Sequence, residues 1–440
     1  MTDQMKEQII MRKVSWRLIP VLIAAYILCY LDRVNLSYAA LQMNQELALT
    51  ATAFGWGAGI FFLGYFLFEV PSNLALQKYG ARFWIARIMV SWGLLSAMMA
   101  FIGSSTSFII VRFLLGAAEA GFFPGVILYL TYWFPERYRA IITSRFMFGV
   151  PGALLIGSPI SSWILGMDGI GGVAGWRWLF ILEGIPTVLM GFFVYYYLTD
   201  IPAHAKWLEP DERNWLQGEI DRERAKVESK KKLSLKDALL NPHVLALGFV
   251  YFTVQVGIYG VNMWLPQIMK TFTFLSTIQI GFIAAIPFAA AAIGMLILGK
   301  SSDRRQERKW HLIFTLVLGA VGLIGSAYFG ANAVLTILLL SISSIGLYSS
   351  MPIFWTIPPT FLTGSAAAGG IALINSLGNI GGFAGPFTVG WIKDSTGNFM
   401  YGLIALGVWV FIGCICAYIT YRNVQQVKEA PVATVVSGHV

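Results

Sequence analysis

The sequence is poor in charge, cysteine and histidine. Only 12% of its 440 residues are charged, whereas 57% are hydrophobic. A soluble domain has about a quarter charged residues, so this chain has too little charge to cover a surface that faces water. Its three cysteines show no paired spacing, which argues against a disulfide framework. The four histidines are scattered (His204, His243, His311 and His439) and form no metal box or nucleophile–His–acid set, so we expect no enzyme, metal or cofactor.

Long apolar runs fill most of the chain. A helix of about twenty apolar residues crosses the hydrocarbon core of a bilayer, so each run is a candidate membrane span. The N-terminal region shows no small-residue cleavage site, and we expect its first apolar run, from about Leu18, to be retained as a helix. The sequence predicts twelve spans, at residues 17–40, 54–76, 83–103, 108–131, 142–165, 177–199, 243–268, 278–299, 311–330, 333–358, 366–391 and 399–421.

A charged, helix-prone stretch between the sixth and seventh spans divides the chain. Together with the twelve spans, this stretch predicts an all-α integral membrane protein with twelve transmembrane helices in two six-helix halves. The predicted parts are an N-terminal bundle (1–200), a cytoplasmic central loop (201–242), a C-terminal bundle (243–421) and a cytoplasmic tail (422–440).

The basic residues predict how the chain crosses the membrane. Of its 31 Lys and Arg residues, 26 fall in the arm, connections and tail of one side, and only Arg177, Lys270 and Lys393 fall on the other. Because Lys and Arg are enriched on the cytoplasmic side, we expect both termini in the cytoplasm and the protein in the cell (inner) membrane. Because these topology signals account for the net charge of +9, we expect no binding to nucleic acid. Arg33 and Arg112 remain, inside spans.

Two connections repeat one pattern, Gly-x-x-x-Asp-basic-x-Gly-x-basic, at a constant offset of 226 residues. The copy after the eighth span, 299–308, has Asp303, Arg304 and Arg308 at the charged positions. The copy after the second span, 73–82, keeps Lys78 and Arg82, but Asn73 replaces the first Gly and Gln77 replaces the Asp. Equivalent placement in each half indicates a duplicated six-helix unit, as in many transporters.

The sequence resembles the major facilitator superfamily in this loop pattern and in the segment 112–116, which is similar to its Arg-x-x-x-Gly signature. Longer strings resemble the anion:cation symporter family within it. They are Tyr30-Leu31-Asp32-Arg33-Val34-Asn35, Phe68-Glu69-Val70-Pro71-Ser72-Asn73, 112–125, Trp133-Phe134-Pro135, Phe354-Trp355 and Asn375. Relatives in that family carry tartrate, sugar acids, phthalate, hydroxyphenylacetate or nicotinate. The resemblance implies that the loop pattern forms a charged cytoplasmic gate, and Gln77 puts its N-terminal copy in doubt.

Charged residues inside the spans all lie in the N-terminal half. A charge in the bilayer centre costs several kcal/mol, so such residues usually face a cavity and a partner. Neighbours on a helix point about 100° apart, so Asp32 and Arg33 are expected to serve different partners. Arg112 and Glu119, seven residues apart, are expected on one helix face. The full set is Asp32, Arg33, Glu69, Arg112, Glu119 and Glu183.

The residue chemistry and the resemblance together suggest roles. Arg33 has the fork of donors that grips a carboxylate, and we expect it to bind substrate. Two roles stay open for Arg112: it contacts substrate, or it holds Asp32 or Glu119 ionised in one conformation. Asp32 and Glu119 are the expected proton-coupling acids, because alternate pairing and burial change the proton affinity of a carboxyl group. We expect structural roles for Glu69 and Glu183. We expect four uncharged residues to line the cavity: Tyr65, Tyr259, Trp355 and Asn375.

The leading hypothesis is proton-coupled uptake (symport) of a small organic carboxylate by alternating access. Its expected partners are the organic acid, protons and the lipid bilayer, and the carrier is expected to be monomeric. The alternative is an antiporter of the same superfamily that exports a drug or sugar. The sequence leaves the transported acid and the proton stoichiometry open.

Overall fold

The computed structural model describes residues 3–147, 149–228, 241–358 and 364–429, and these residues form long helices joined by short connections. The N-terminal half holds α1 to α8. They are α1 (Asp3–Glu46), α2 (Ala51–Tyr79), α3 (Ala81–Met98), α4 (Ser105–Glu119), α5 (Phe122–Trp133), α6 (Glu136–Met147), α7 (Gly149–Leu165) and α8 (Gly175–Tyr197). The central connection contains α9 (Pro210–Glu228). The C-terminal half holds α10 (Pro242–Lys270), α11 (Thr277–Arg305), α12 (Lys309–Tyr328), α13 (Ala333–Trp355), α14 (Gly364–Thr396) and α15 (Phe399–Glu429).

The predicted spans match these helices. In the described residues, eleven helical stretches are long and apolar enough to cross a membrane. The remaining predicted span, 366–391, lies in α14, a helix of 33 residues whose many Gly and Asn residues lower its hydropathy. The all-α membrane architecture is therefore confirmed.

The predicted fourth span is not one continuous helix. It breaks between Glu119 and Phe122, where Gly121 has a left-handed backbone conformation with φ +85°. A Cβ at Gly121 would lie 2.4 Å from the Oγ of Ser72 in α2. Glycine is therefore required both by the backbone conformation and by the contact with α2. The break makes Glu119 the last residue of α4, beside the turn.

The two halves meet in a pseudo-symmetric way. The second helix of one half packs against the fifth of the other: α2 lies on α14, and α11 lies on α7, while the first helices α1 and α10 also touch. Small residues make these contacts close. A Cβ on Gly55 would lie 2.6 Å from the Pro386 carbonyl oxygen, and one on Gly281 would lie 2.3 Å from the Ser162 Oγ. Close backbone approach of this kind is typical of helix pairs in membranes.

We call the face that carries the start of α1 and the connections α2–α3, α5–α6 and α11–α12 the basic face, and the other the opposite face. At the opposite face the halves are joined by hydrogen bonds. The Asp394 carboxylate accepts from the backbone N–H of Ala51 at 3.0 Å and of Thr52 at 2.7 Å, at the start of α2. Lys270 donates to the Leu41 carbonyl at 2.6 Å. The structure is therefore closed at the opposite face.

The central helix α9 docks on the basic face of the N-terminal half. Its acids form ion pairs with basic residues of α1 and α6, and the bonds link Lys13 to Glu212 (2.8 Å), Arg137 to Glu219 (3.1 Å) and Arg139 to Glu223 (2.9 Å). The central connection is thus anchored to the first half. The domain boundaries at 200, 242 and 421 remain predictions, and residues 229–240 and 430–440 lie outside the described part.

The break after Glu119 gives a stability prediction. We expect Gly121→Ala to destabilise the protein by about 1–3 kcal/mol, because alanine resists a positive φ and its Cβ would clash with Ser72. Gly152→Ala is the control, since a Cβ there meets nothing within 4 Å. Thermal unfolding in detergent should show a lower Tm for the first variant only. Equal Tm values would contradict the role given to Gly121.

Candidate substrate and proton site

Asp32 and Arg33 point to different parts of the N-terminal half, as helix geometry requires. The Asp32 side chain turns toward α3 and α8, inside the half. Arg33 turns toward α4 and across to α10 of the other half. In this structure no ion pair joins the two neighbours, because each has its own set of partners.

Arg33 forms a buried ion pair with Glu119. Its Nε donates to the Glu119 Oε1 at 2.9 Å, and Nη2 donates to the same oxygen at 2.5 Å. The Arg33 side chain is 14% exposed and that of Glu119 only 1%. Cys29 Sγ also donates to Glu119, at 3.2 Å. Two charges that are costly to bury separately therefore neutralise each other between α1 and α4.

The third group of Arg33 reaches the other half. Its Nη1 donates to the Tyr259 hydroxyl of α10 at 3.0 Å. The guanidinium also lies near three aromatic rings, with its carbon 5.2, 5.4 and 5.7 Å from the ring centroids of Tyr30, Phe61 and Tyr65. Cation–π contacts of this length stabilise a partly desolvated cation. Arg33 is therefore a charged group that bonds both halves.

Asp32 is 2% exposed and is held by uncharged donors. Ser96 Oγ of α3 donates to it at 2.6 Å, Thr187 Oγ1 of α8 lies at 3.4 Å, and the Trp92 indole N–H also donates to it. Asn35 lies one turn along α1 at 3.3 Å. These bonds satisfy the carboxyl oxygens and fix α1 against α3 and α8.

Arg112 contacts neither acid among its described bonds. Its Nε donates to the Gly57 carbonyl at 3.3 Å, Nη2 lies 3.5 Å from the Ala58 carbonyl, and its guanidinium stacks 4.8 Å from the Phe61 centroid. The side chain is 1% exposed. The two roles left open by the sequence, contact with substrate and holding Asp32 or Glu119 ionised in one conformation, both stay predictions. Arg112 and Arg33 share the Phe61 ring.

The C-terminal half contributes uncharged groups. Tyr259 is 6% exposed, and its hydroxyl accepts a hydrogen bond from Arg33. Tyr65 belongs to α2 of the N-terminal half, and its ring centroid lies 5.7 Å from the guanidinium carbon of Arg33. Asn375 of α14 does not reach Arg33; its Nδ2 donates to Glu69 Oε1 at 3.2 Å. Trp355 packs edge-on against Tyr251, with ring centroids 5.0 Å apart. The structure thus brings Tyr65 and Tyr259 to Arg33, whereas Asn375 bonds Glu69 and Trp355 packs against Tyr251.

The repeated connections form no bond between the halves in the described residues. Asp303 pairs with Arg308 of its own connection at 2.6 Å, and Arg304 lies exposed at the end of α11. In the other copy, Lys78 is exposed beside Tyr79, and the backbone N–H of Arg82 donates to Asp200 at 2.8 Å. Asp200, in the connection after α8, therefore caps α3, where the sequence pattern lacks its own Asp.

Several participants were not predicted. Cys29 and Phe61 surround the ion pair, and Asp394 closes the opposite face. Spacing on α1 could have revealed Cys29, which precedes Arg33 by one turn. Asp394 lies near the end of a helix, and only the assembled halves show its partner.

A cavity of about 350 Å³ lies at the opposite face. It is lined by residues from both halves, which are Ala40, Leu41, Asn44, Gln45, Gln267, Lys270, Thr271, Lys393 and Phe399. At Arg33, the Nε and Nη2 donors are given to Glu119 and Nη1 to Tyr259. A ligand that takes these donors displaces Glu119 or Tyr259.

Comparison with known proteins gives consistent matches. The family model described as Major Facilitator Superfamily matches residues 22–386. A putative tartrate transporter of Agrobacterium vitis is 47% identical over 96% of this chain and 98% of its own length. A quinolone resistance transporter of Acinetobacter baumannii is 42% identical over 97% of this chain and 98% of its own length. The crystal structure of a bacterial homologue of the human lysosomal transporter Spinster, inward-facing and unoccupied, matches with a TM-score of 0.77 at 16% identity, over 94% of this chain and 98% of that one.

The buried ion pair predicts strong coupling between its partners. Arg33→Met and Glu119→Gln should each destabilise the protein by about 3–5 kcal/mol, because each leaves an unpaired charge or an unmatched polar group. The double variant should lose less than the sum of the two. Chemical unfolding of all four proteins measures this cycle. The surface pair Arg222 and Glu219, 3.0 Å apart, is the control and should couple by less than about 1 kcal/mol, because Arg222 is 73% exposed and Glu219 also pairs with Arg137. Additive losses at Arg33 and Glu119 would contradict the pairing.

Proposed function

The chain belongs to the major facilitator superfamily and is a multi-pass membrane transporter, and from that premise we propose that it takes up a small organic carboxylate together with protons. The observation that carries this proposal is the Arg33–Glu119 ion pair with its bond to Tyr259 of the other half. The relative named as a putative tartrate transporter supports an organic acid, and tartrate is the first acid to test.

Arg33 is the proposed substrate anchor. Its guanidinium donors match the two oxygens of a carboxylate, and in this structure they are given to the Glu119 carboxylate. A substrate carboxylate offers the same acceptors at the same place. Binding is therefore a competition between the substrate and Glu119 for one cation.

This competition couples the substrate to a proton. When the substrate takes Arg33, Glu119 is left 1% exposed without its counter-charge. An unpaired buried carboxylate costs several kcal/mol, and the group avoids this cost by taking a proton. Substrate and proton thus enter together. When the proton leaves, Glu119 recovers Arg33 and expels the substrate.

Through Tyr259, an anion bound at Arg33 affects the contact between the two halves. Tyr259 links Arg33 of α1 to α10 at 3.0 Å, at the interface where alternating access requires movement. Tyr65 and Arg112 complete the proposed substrate region, with Trp355 and Asn375 as C-terminal residues that reach it when the halves move. Asp32 is proposed as a second proton site, which sets the position of α1 against α3 and α8.

The proposed direction is uptake across the cell inner membrane, with the basic face and both termini in the cytoplasm. Each net positive charge that moves inward gains about 2.3 kcal/mol per 100 mV of membrane potential. A monoanion with two protons would use both the potential and the pH gradient, and a monoanion with one proton would use the pH gradient alone.

A second candidate function is export of a drug by proton antiport. The relative named as a quinolone resistance transporter favours it, at 42% identity over 97% of this chain. The two functions differ at Arg33. Export of a neutral or cationic compound needs no anion anchor, and it predicts efflux that persists in Arg33→Ala.

We expect Arg33→Ala to weaken tartrate binding at least about 30-fold, because a buried charge-assisted contact is worth about 2 kcal/mol or more. Arg33→Lys should also bind poorly, since a point charge replaces the planar fork. Thermal shift and isothermal calorimetry on the purified proteins measure this. The same screen should include hexonates, phthalate, hydroxyphenylacetate and nicotinate. Wild-type affinity in Arg33→Ala for an acid that the unchanged protein transports would refute the anchor.

Glu119→Gln separates coupling from transport. Proteoliposomes with wild-type protein should accumulate radiolabelled acid when the pH is made lower on the substrate side. The variant should lose this accumulation, because glutamine takes no proton, yet it should keep counterflow exchange of substrate. The exposed change Glu209→Gln is the control and should leave both activities intact. Full pH-driven accumulation in Glu119→Gln would remove this acid from the coupling mechanism.

A further inference from the structure

Hydrogen bonds between the halves occur at three depths in the described residues. Near the opposite face Asp394 holds the start of α2, and Lys270 bonds Leu41. At mid-depth Arg33 bonds Tyr259. The third link joins Glu69 of α2 to α14. At 1.5 Å per residue Glu69 lies roughly 27 Å along α2 from Ala51, so it is the link nearest the basic face.

Glu69 is clamped by two carboxamides of the other half. Its Oε1 accepts from Asn375 Nδ2 at 3.2 Å, and its Oε2 lies 3.5 Å from Asn379 Nδ2. The two asparagines are four residues apart and so lie on one face of α14. Glu69 is 9% exposed, and the described residues place no ion pair on it. A structural role within its own half, as the sequence suggested, does not account for partners in the other half.

The surroundings of Glu69 contain no described counter-charge. On its own helix, the titratable neighbour is Tyr65, one turn earlier, and α10 contributes the phenol of Tyr251. The face of α14 presents the two carboxamides. From α4 the described contact is apolar, between Phe113 and Phe68 at 6.5 Å. The charge state of Glu69 therefore decides the strength of this link almost alone.

We propose that Glu69 is a further proton-binding residue of the transport cycle, in addition to Glu119 and Asp32, and that its bonds to Asn375 and Asn379 form a latch that holds the two halves together on the basic-face side of Arg33. The proposal deepens the proton-coupled uptake described above and rests on it. It assigns a role to Glu69 and Asn379 that the predicted site does not include.

The protonation state of Glu69 decides whether the latch holds or opens. As a carboxylate it accepts two charge-assisted bonds, which are about twice as strong as neutral ones. A proton on one oxygen removes the charge and one of the acceptors, so the latch weakens and the basic face can open. Asn375 then becomes free to bond the substrate. Loss of the proton to the cytoplasm restores the latch behind the departing acid, which is the order that symport requires.

Hydrogen exchange of the full-length protein in nanodiscs tests the latch directly. In wild type, the backbone amides of residues 66–79 and 371–380 should exchange about fivefold faster at pH 5.5 than at pH 8, after correction for intrinsic rates. Glu69→Gln should show the fast exchange at both pH values. Asn379→Ala keeps the acid and removes one donor, so its exchange should rise at pH 8. Glu209→Gln should match wild type.

The inference is overturned if Glu69→Gln keeps the wild-type pH response in these two segments, or if Asn379→Ala exchanges like wild type at pH 8. Either result leaves the proposed function standing when Glu119→Gln still abolishes pH-driven accumulation. Conversely, a wild-type protein that accumulates no acid in response to a pH gradient refutes the proposed function, whatever the exchange shows.

Discussion

The structure depends on how one buried cation is neutralised. Arg33 sits in the first membrane helix with a side chain only 14% exposed, and it is stable there because Glu119 supplies the opposite charge. The partner comes from a different helix, and the Tyr259 hydroxyl comes from the other half. One ion pair therefore ties α1, α4 and α10 together at the centre of the molecule. Any anion that replaces Glu119 changes the contacts of all three helices.

The helix contacts explain how such a change can spread. The halves touch along α2–α14, α7–α11 and α1–α10, and the glycines in these surfaces bring backbones close enough to slide. Polar links mark three depths of the same interface. Asp394 and Lys270 close the opposite face, Arg33 joins the centre, and Glu69 joins the side nearer the basic face. At two of these depths the bonds involve a buried carboxyl group, which is Glu119 at the centre and Glu69 nearer the basic face. A proton changes the hydrogen bonding most at these two groups.

Much of the fold and part of the site could be predicted from the sequence. Hydropathy placed the spans, and the 100° turn between neighbours correctly separated the partners of Asp32 and Arg33. Spacing on one helix put Arg112 and Glu119 on one face, but it could not show that Glu119 would pair with Arg33 of α1, because that depends on how helices rotate against each other. The helix break at Gly121 is only weakly indicated by the sequence, through the glycine that precedes Phe122. The Glu69–Asn375 bond left no signal in the sequence, since it spans 306 residues and exists only when the halves assemble.

The central claim is that a substrate carboxylate displaces Glu119 from Arg33 and that Glu119 then takes a proton. Calorimetric titration of tartrate, or of whichever acid the binding screen identifies, tests this most directly when it is repeated in buffers of different ionisation enthalpy. The account predicts that wild type takes up about one proton at Glu119 for each carboxylate that binds, and that Glu119→Gln takes up about one fewer. Binding without proton uptake, or the same uptake in both proteins, would contradict it.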